Sequence, residues 1–220
     1  MMPLAAVWDQ HLAMAMLPDL LRGLLVTVEV TALSFLLSLL IGLVVAVIRH
    51  TGIPGLSHLL TLYVLFVRGT PLLVQAYFAY FVLPHYGYTL SPFVTGVLVL
   101  GINYSAYTAE VYRGGIEGVS RGQWEACTAL SLPAPTTWMR IVIPQMVRTI
   151  IPVLGNYLIQ MFKDSAILSA ITVSEMLTQA DKHLDRPLEA FTLVGLLFFL
   201  VSYPSSLLFK SLEHRYATTN

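Results

Sequence analysis

Residues 24–48, LLVTVEVTALSFLLSLLIGLVVAVI, carry one charge, Glu29, in an otherwise apolar run. A run of about 20 such residues is long enough to cross a bilayer as a helix. Inside lipid every backbone N–H and C=O must be paired within the chain, so only helices and closed barrels span it. This run therefore limits the fold more than any other stretch. Four further runs follow the same rule. They are Leu56–Leu83, interrupted by Arg68-Gly69-Thr70-Pro71; Pro92–Val111; Thr149–Leu177, interrupted at Lys163-Asp164-Ser165; and Leu188–Phe209. Charged residues make up 11% of the chain, against about 25% in soluble domains. The expectation is one all-α integral membrane domain over residues 1–220, with about five transmembrane helices.

Five spans put the termini on opposite sides. Placing the N-terminus outside leaves Arg49, Arg113, Arg121, Arg140, Arg148, Lys210 and Arg215 in cytoplasmic pieces. Only Arg22, Lys182 and Arg186 fall outside, which favours N-out, C-in by the positive-inside rule. Residues 1–20 lack the basic start of a cleavable signal peptide. They are expected to form an interfacial lead-in with Trp8 at headgroup depth.

Several chemistries are missing. None of the three lysines follows a glycine, so there is no phosphate-cradling P-loop. There is no Gly-x-Ser-x-Gly elbow and no His-Glu-x-x-His zinc helix. Cys127 is the only cysteine, so neither an intrachain disulfide nor a cysteine metal site is expected. A net charge of zero gives no electrostatic case for nucleic acid. The expectation is a protein without catalytic residues, bound metal or cofactor, with membrane lipid as its surroundings.

Glu29, Arg68, Glu110, Lys163 and Asp164 lie within the apolar runs. A charge at a helix centre costs about 2.5–3.5 kcal/mol on insertion scales. Such charges line a polar path, pair with one another, or snorkel to the span ends, as Glu29 and Glu110 are placed to do. The Gly69–Pro71 interruption breaks a helix at membrane depth, which is tolerated where it is buried in protein or lines a cavity. Lys163 and Asp164 either form a structural salt bridge or line a path. Arg68, Asn103, Glu110, Asn156, Lys163 and Asp164 are the candidate pathway residues. Tyr104 and Tyr107 share the Asn103 segment and are open to the same role, whereas Ser105, Ala106 and Ala109 read as packing residues.

One half-polar stretch separates two apolar runs: GQWEACTALSLPAPTTWMRIVIPQ, residues 122–145. Leu132-Pro133 ends a first short helix, and Pro135 suits the first turn of a second. Pro144 is expected to break that one before the fourth span. Trp124 and Trp138 have no evident burial site on so short an element. They read as a docking knob for a partner, or as anchors resting on lipid.

This stretch resembles the EAA loop of bacterial ABC importer permeases: Glu-Ala-Ala, three residues, Gly, nine residues, Ile-x-Leu-Pro. Glu125-Ala126-Cys127, Ser131, Ile141, Ile143 and Pro144 stand at the matching positions, with Cys for Ala, Ser for Gly and Ile for Leu. The segments FVRGTPLLVQ, YTAEVYRGGI, RGQWEA and KDSAILSAIT resemble the polar amino acid and opine branch of that family. NYSAYTAEVYRGGIEGVSRGQWEA and LGNYLIQMFKDSAILSAITVSEML also resemble permease subunits of ectoine and hydroxyectoine importers, which share these motifs with amino acid permeases.

The resemblance implies a type I ABC importer transmembrane domain in a bacterial inner membrane, with a cytoplasmic coupling loop at 116–145. It implies two partner ATPase subunits that hold the ATP and Mg, a second permease subunit, homodimeric or heterodimeric, and an extracytoplasmic solute-binding protein. Gly122, Trp124, Glu125, Ala126, Ser131, Trp138, Arg140 and Pro144 would then transmit ATPase motion. The rival is an ion-coupled secondary transporter of a small polar solute, which accounts for the charges but not for the loop.

Overall fold

The computed structural model describes residues 8–217, with side chains through Ser211. Among these residues every element is helical. Helix α1, Gln10–Thr51, has 42 residues and a length of about 63 Å at 1.5 Å per residue. The side chain of Asp9 caps it by accepting from the His11 and Leu12 N–H groups, and Gly52 ends it at φ +68°.

Of the expected lead-in, residues 1–7 lie outside the described part, and from Gln10 onward it is continuous with α1. Residues 10–20 are the first turns of α1. They are held because Met16 and Leu20 pack with Met176, Ala180, Ala190 and Val194. Trp8 precedes the helix and is exposed.

The buried stripe of α1 includes Gly23, Thr27, Thr31, Ser34, Ser38 and Gly42, while Leu25, Leu33, Leu36, Leu40 and Val44 point outward. This inverts the pattern of a soluble helix. Lipid is as apolar as leucine, so helices associate through small residues that let backbones approach and through hydroxyls that bond across. Helix α4, Pro92–Glu117, lies along this stripe. The Thr108 hydroxyl donates to the Ser38 carbonyl at 2.8 Å, and Ser34 donates to Val97 O at 3.2 Å. A Cβ on Gly42 would sit 2.0 Å from Thr108 Oγ1, and one on Gly101 would sit 2.6 Å from Leu37. Ser105, Ala106 and Ala109 are fully buried, as packing residues should be.

The second run is not one straight span. Helix α2, Leu56–Gly69, ends at the extended residues Thr70 and Pro71. Helix α3, Leu72–Tyr77, leaves at 104° to it and continues through a π turn, Phe78–Val82, and a 3-10 turn, Leu83–Tyr86.

After α4 come two short elements, α5 (Arg121–Ala129) and α6 (Ala134–Thr136). The π turn Thr137–Val142 then leads straight into α7, Ile143–Asp164. Pro144 does not break the chain as expected. The Ile143 N–H bonds the Trp138 carbonyl, five residues back, and this wider turn leaves room for the proline ring. Leu83-Pro84 follows the other π turn in the same way.

The fourth run also differs beyond Asp164. The helix tightens into a 3-10 stretch, Ser165–Ile171, and stops at Thr172 with φ +61°. A short helix, α8 (Met176–Ala180), and a 3-10 turn, Asp181–His183, follow before α9, Pro187–Ala217. Helix α1, the helical run Ala134–Ile171 and α9 are long and apolar enough to cross a membrane, and the bent α2–α3 pair makes up to four. Helix α4, at 26 residues, has the length, but Asn103, Tyr104 and Tyr107 dilute its hydropathy.

Candidate functional site

Where the α2–α3 bend meets α4 and α7, the structure encloses a cavity of about 460 Å³. Its wall includes Arg68 and Pro71 from the bend, Asn103, Tyr104 and Tyr107 from α4, and Tyr157, Gln160 and Asp164 from α7. Arg68 and Gln160 are exposed, so the cavity opens away from the core of the chain. Three of the six expected pathway residues therefore converge: Arg68, Asn103 and Asp164.

Arg68 makes no ion pair among the described residues. Its guanidinium carbon lies 5.3 Å from the centre of the Tyr107 ring, a cation–π distance. The Tyr104 hydroxyl donates to Asp164 Oδ2 at 2.6 Å. Tyr104, Tyr107 and Tyr157 form a mutual aromatic cluster with centroids 5.8–6.1 Å apart. The cavity thus presents one cation, one carboxylate and a wall of aromatic faces.

The other three expected pathway residues lie elsewhere. Glu110 bonds Arg49 of α1 and Arg113 of α4, and Arg113 reaches Glu117 at 2.6 Å. This cluster ties the ends of α1 and α4 together and gives Glu110 a structural role. Lys163 has no salt bridge to Asp164. It projects into a separate groove with Phe198, Ser202 and Tyr203 of α9. Consecutive residues of a helix point about 100° apart, which is why the two charges of the KDS motif part company. Asn156 is exposed on α7, outside the cavity.

The segment 116–145 packs as a second unit, away from the cavity. Trp124 and Trp138 are not exposed knobs; they meet edge to face, with centroids 5.5 Å apart. They pack against a cluster of Ile116, Met146 and Ile150, and His50, near the end of α1, contacts Trp138 at 5.3 Å. The loop finds its burial against the ends of α1, α4 and α7. What it exposes is Leu130 (71%) and Met139 (69%). Gly122, Glu125, Ala126 and Arg140 are exposed too, and Glu125 pairs with Arg121 at 3.2 Å.

Ser131 stands in the left-handed region at φ +47°. The Leu132 N–H bonds the Cys127 carbonyl, and the Ser131 N–H bonds that of Thr128. This is the Schellman ending, in which glycine is the usual residue at the left-handed position. The geometry explains why the motif prefers Gly where this chain has Ser.

Residues 38–218 match the family described as the inner membrane component of binding-protein-dependent transport systems. The chain belongs to that family. It is 39% identical over 204 residues to a probable amino-acid ABC transporter permease of Sinorhizobium fredii, covering 91% of this chain and 88% of that one. It is 32% identical to an L-cystine transport system permease of Bacillus subtilis, covering 90% and 86%. A crystal structure of an amino acid ABC transporter with histidines superposes with a TM-score of 0.90 at 33% identity, covering 94% of this chain and 99% of that one. A methionine ABC transporter in an inward-facing conformation gives 0.70 at 17% identity, covering 90% and 98%, a likeness of fold. The chain is therefore a membrane permease subunit with a type I ABC importer fold.

Sequence reading missed Tyr157, Gln160 and Gln75. Tyr104 and Tyr107 share a helix face at i, i+3 and are visible in sequence, but Tyr157 joins them only through the packing of α7 on α4.

Proposed function

We propose that this subunit forms the solute path of a binding-protein-dependent importer of an amino acid or similar small zwitterion, ectoine and hydroxyectoine included. The observation that carries this is the placement of Arg68 and Asp164, not paired with each other, on the wall of one aromatic-lined cavity. A zwitterion presents a carboxylate and an ammonium a few bonds apart. Arg68 offers donors to the carboxylate; Asp164 and the tyrosine faces suit the ammonium. The volume falls within the roughly 300–1,000 Å³ range of small-molecule sites. The names of the relatives point to the same solute class.

The subunit works with its N-terminus outside and its 116–145 loop in the cytoplasm, and α4 completes five spans. A second permease subunit completes the path, and an extracytoplasmic binding protein delivers solute. Two ATPase subunits bind the loop. ATP and Mg act on them, and their closure moves the loop and turns the path outward. Exposed Leu130 and Met139, flanked by Arg121, Glu125 and Arg140, form the surface that docks.

Co-purification with ABC ATPase subunits co-expressed from the same genome tests the reading. Wild type is expected to form a stable complex that accumulates an amino acid in vesicles only with ATP and binding protein. Glu125→Lys is expected to insert in the membrane yet lose the ATPase. Uptake by the permease alone under a proton gradient would overturn the proposal.

A further inference from the structure

The α2–α3 bend raises a hydrogen-bonding problem. In a continuing helix the Val67 carbonyl would accept from the N–H of residue 71, but residue 71 is proline and has none. An unpaired carbonyl at membrane depth is strongly disfavoured, because lipid offers it no donor. The structure fills the vacancy with a side chain. Gln75 Nε2 donates to Val67 O at 2.9 Å and lies 2.7 Å from Thr70 Oγ1 and 3.2 Å from Thr70 O. The Thr70 hydroxyl in turn donates to Phe66 O at 2.9 Å and lies 3.4 Å from Val67 O, a longer second contact to the carbonyl that Gln75 bonds. On its other side, Gln75 Oε1 accepts from Asn103 Nδ2 of α4 at 3.1 Å. One amide therefore joins the end of α2, the bend and the cavity wall.

We propose that Gln75 is a positioning residue of the cavity. It supplies the shorter of the two side-chain donors that replace the N–H Pro71 lacks, and so fixes the α2–α3 angle that holds Arg68 beside Tyr107. Gln75 itself does not line the cavity; it acts through Val67 and Thr70 on the adjoining Arg68, and through Asn103 on α4. The proposal rests on the reading of this cavity as the solute site. Its chemistry explains the RGTPLLVQ segment as a unit, because the proline makes the bend and the glutamine four residues later closes it.

The test uses the purified permease–ATPase complex in nanodiscs. Spin labels at Leu59→Cys and Tyr86→Cys, in a Cys127→Ser background, report the bend as a distance distribution. The radiolabelled proteinogenic L-amino acid that wild type binds tightest reports the cavity as a Kd. Gln75→Met keeps the bulk and removes the hydrogen bonds. It is expected to widen the distance distribution and raise Kd roughly tenfold, the scale of one to two lost hydrogen bonds, with the complex intact. An unchanged distribution overturns the proposal, as does a widened one with unchanged Kd. If Gln75→Met does not assemble, Gln75→Glu, which keeps an acceptor for Asn103 and removes both N–H donors, is judged by the same two readings. Arg68→Gln separates the two ideas. If it leaves Kd unchanged, or if wild type binds no amino acid, the cavity reading fails, while the distance measurement still decides whether Gln75 holds the bend.

Discussion

At the scale of single residues, charge and backbone conformation make separate predictions. Arg68 and Asp164 are assigned opposite ends of a zwitterion, so their losses should differ in kind. Asp164→Asn keeps the size and an acceptor for the Tyr104 hydroxyl but removes the charge. It is expected to weaken solute binding by about tenfold or more, on the scale of a lost charge-assisted hydrogen bond. Binding of the same solute lacking its α-amino group should be almost unaffected by that variant, and equal losses for both ligands would show that Asp164 does not face the ammonium. Ser131 makes a stability prediction. Its φ of +47° places a Cβ in the left-handed region, which costs about 1 kcal/mol. Ser131→Gly should therefore raise the unfolding temperature of the purified complex by a few degrees. A drop would mean that the hydroxyl stabilises the turn more than its Cβ strains it.

Helices are where sequence and structure agree best and also where they part. Apolar runs revealed the long helices, because lipid leaves few alternatives to a helix. The Gly69–Pro71 break was legible for the same reason: proline cannot continue the ladder. The ends were less legible. Residues 10–20 are not apolar enough to declare themselves part of a span; they are held by α8 and α9, which lie far away in sequence. Pro144 looked like a stop, but a π turn absorbs it, and no local signal marks that turn. Lys163 and Asp164 read either as a salt bridge or as path lining, and the helix sends them to different faces, Asp164 to the cavity and Lys163 to a separate groove. Packing of α1 on α4 gives the prediction at this scale. Gly42 has no room for a side chain, since a Cβ would meet Thr108 Oγ1 at 2.0 Å. Gly42→Leu is expected to separate the two helices and abolish folded protein in detergent. Gly114→Ala on the same α4, where nothing lies within 4 Å, should be tolerated. Equal yields for the two would show that close approach does not hold the pair.

For the whole molecule, the question is how a loop at one end acts on a cavity some distance away. The Trp124–Trp138 pair does not protrude; it is wedged among the ends of α1, α4 and α7 through His50, Ile116 and Met146. Two of those helices, α4 and α7, carry most of the cavity wall, and Arg49–Glu110–Arg113 fastens α1 to α4. If a docked ATPase pushes the loop, as proposed, this packing would deliver the push to the cavity walls as a movement of helices. The angle between α5 and the segment leading into α7 sets the direction of that push, and Pro133 and Pro135 restrict the backbone where the angle is made. Replacing both with alanine frees the corner without touching the exposed Leu130 and Met139. The ATPase should still bind and still hydrolyse ATP, since the docking surface is intact. Transport per ATP should fall several-fold, because the same closure now bends the loop instead of moving α4 and α7. If uptake and hydrolysis fall together, the corner serves docking and the lever reading is wrong. If uptake is unchanged, the tryptophan wedge alone carries the coupling, and Trp138→Ala should then produce the uncoupling.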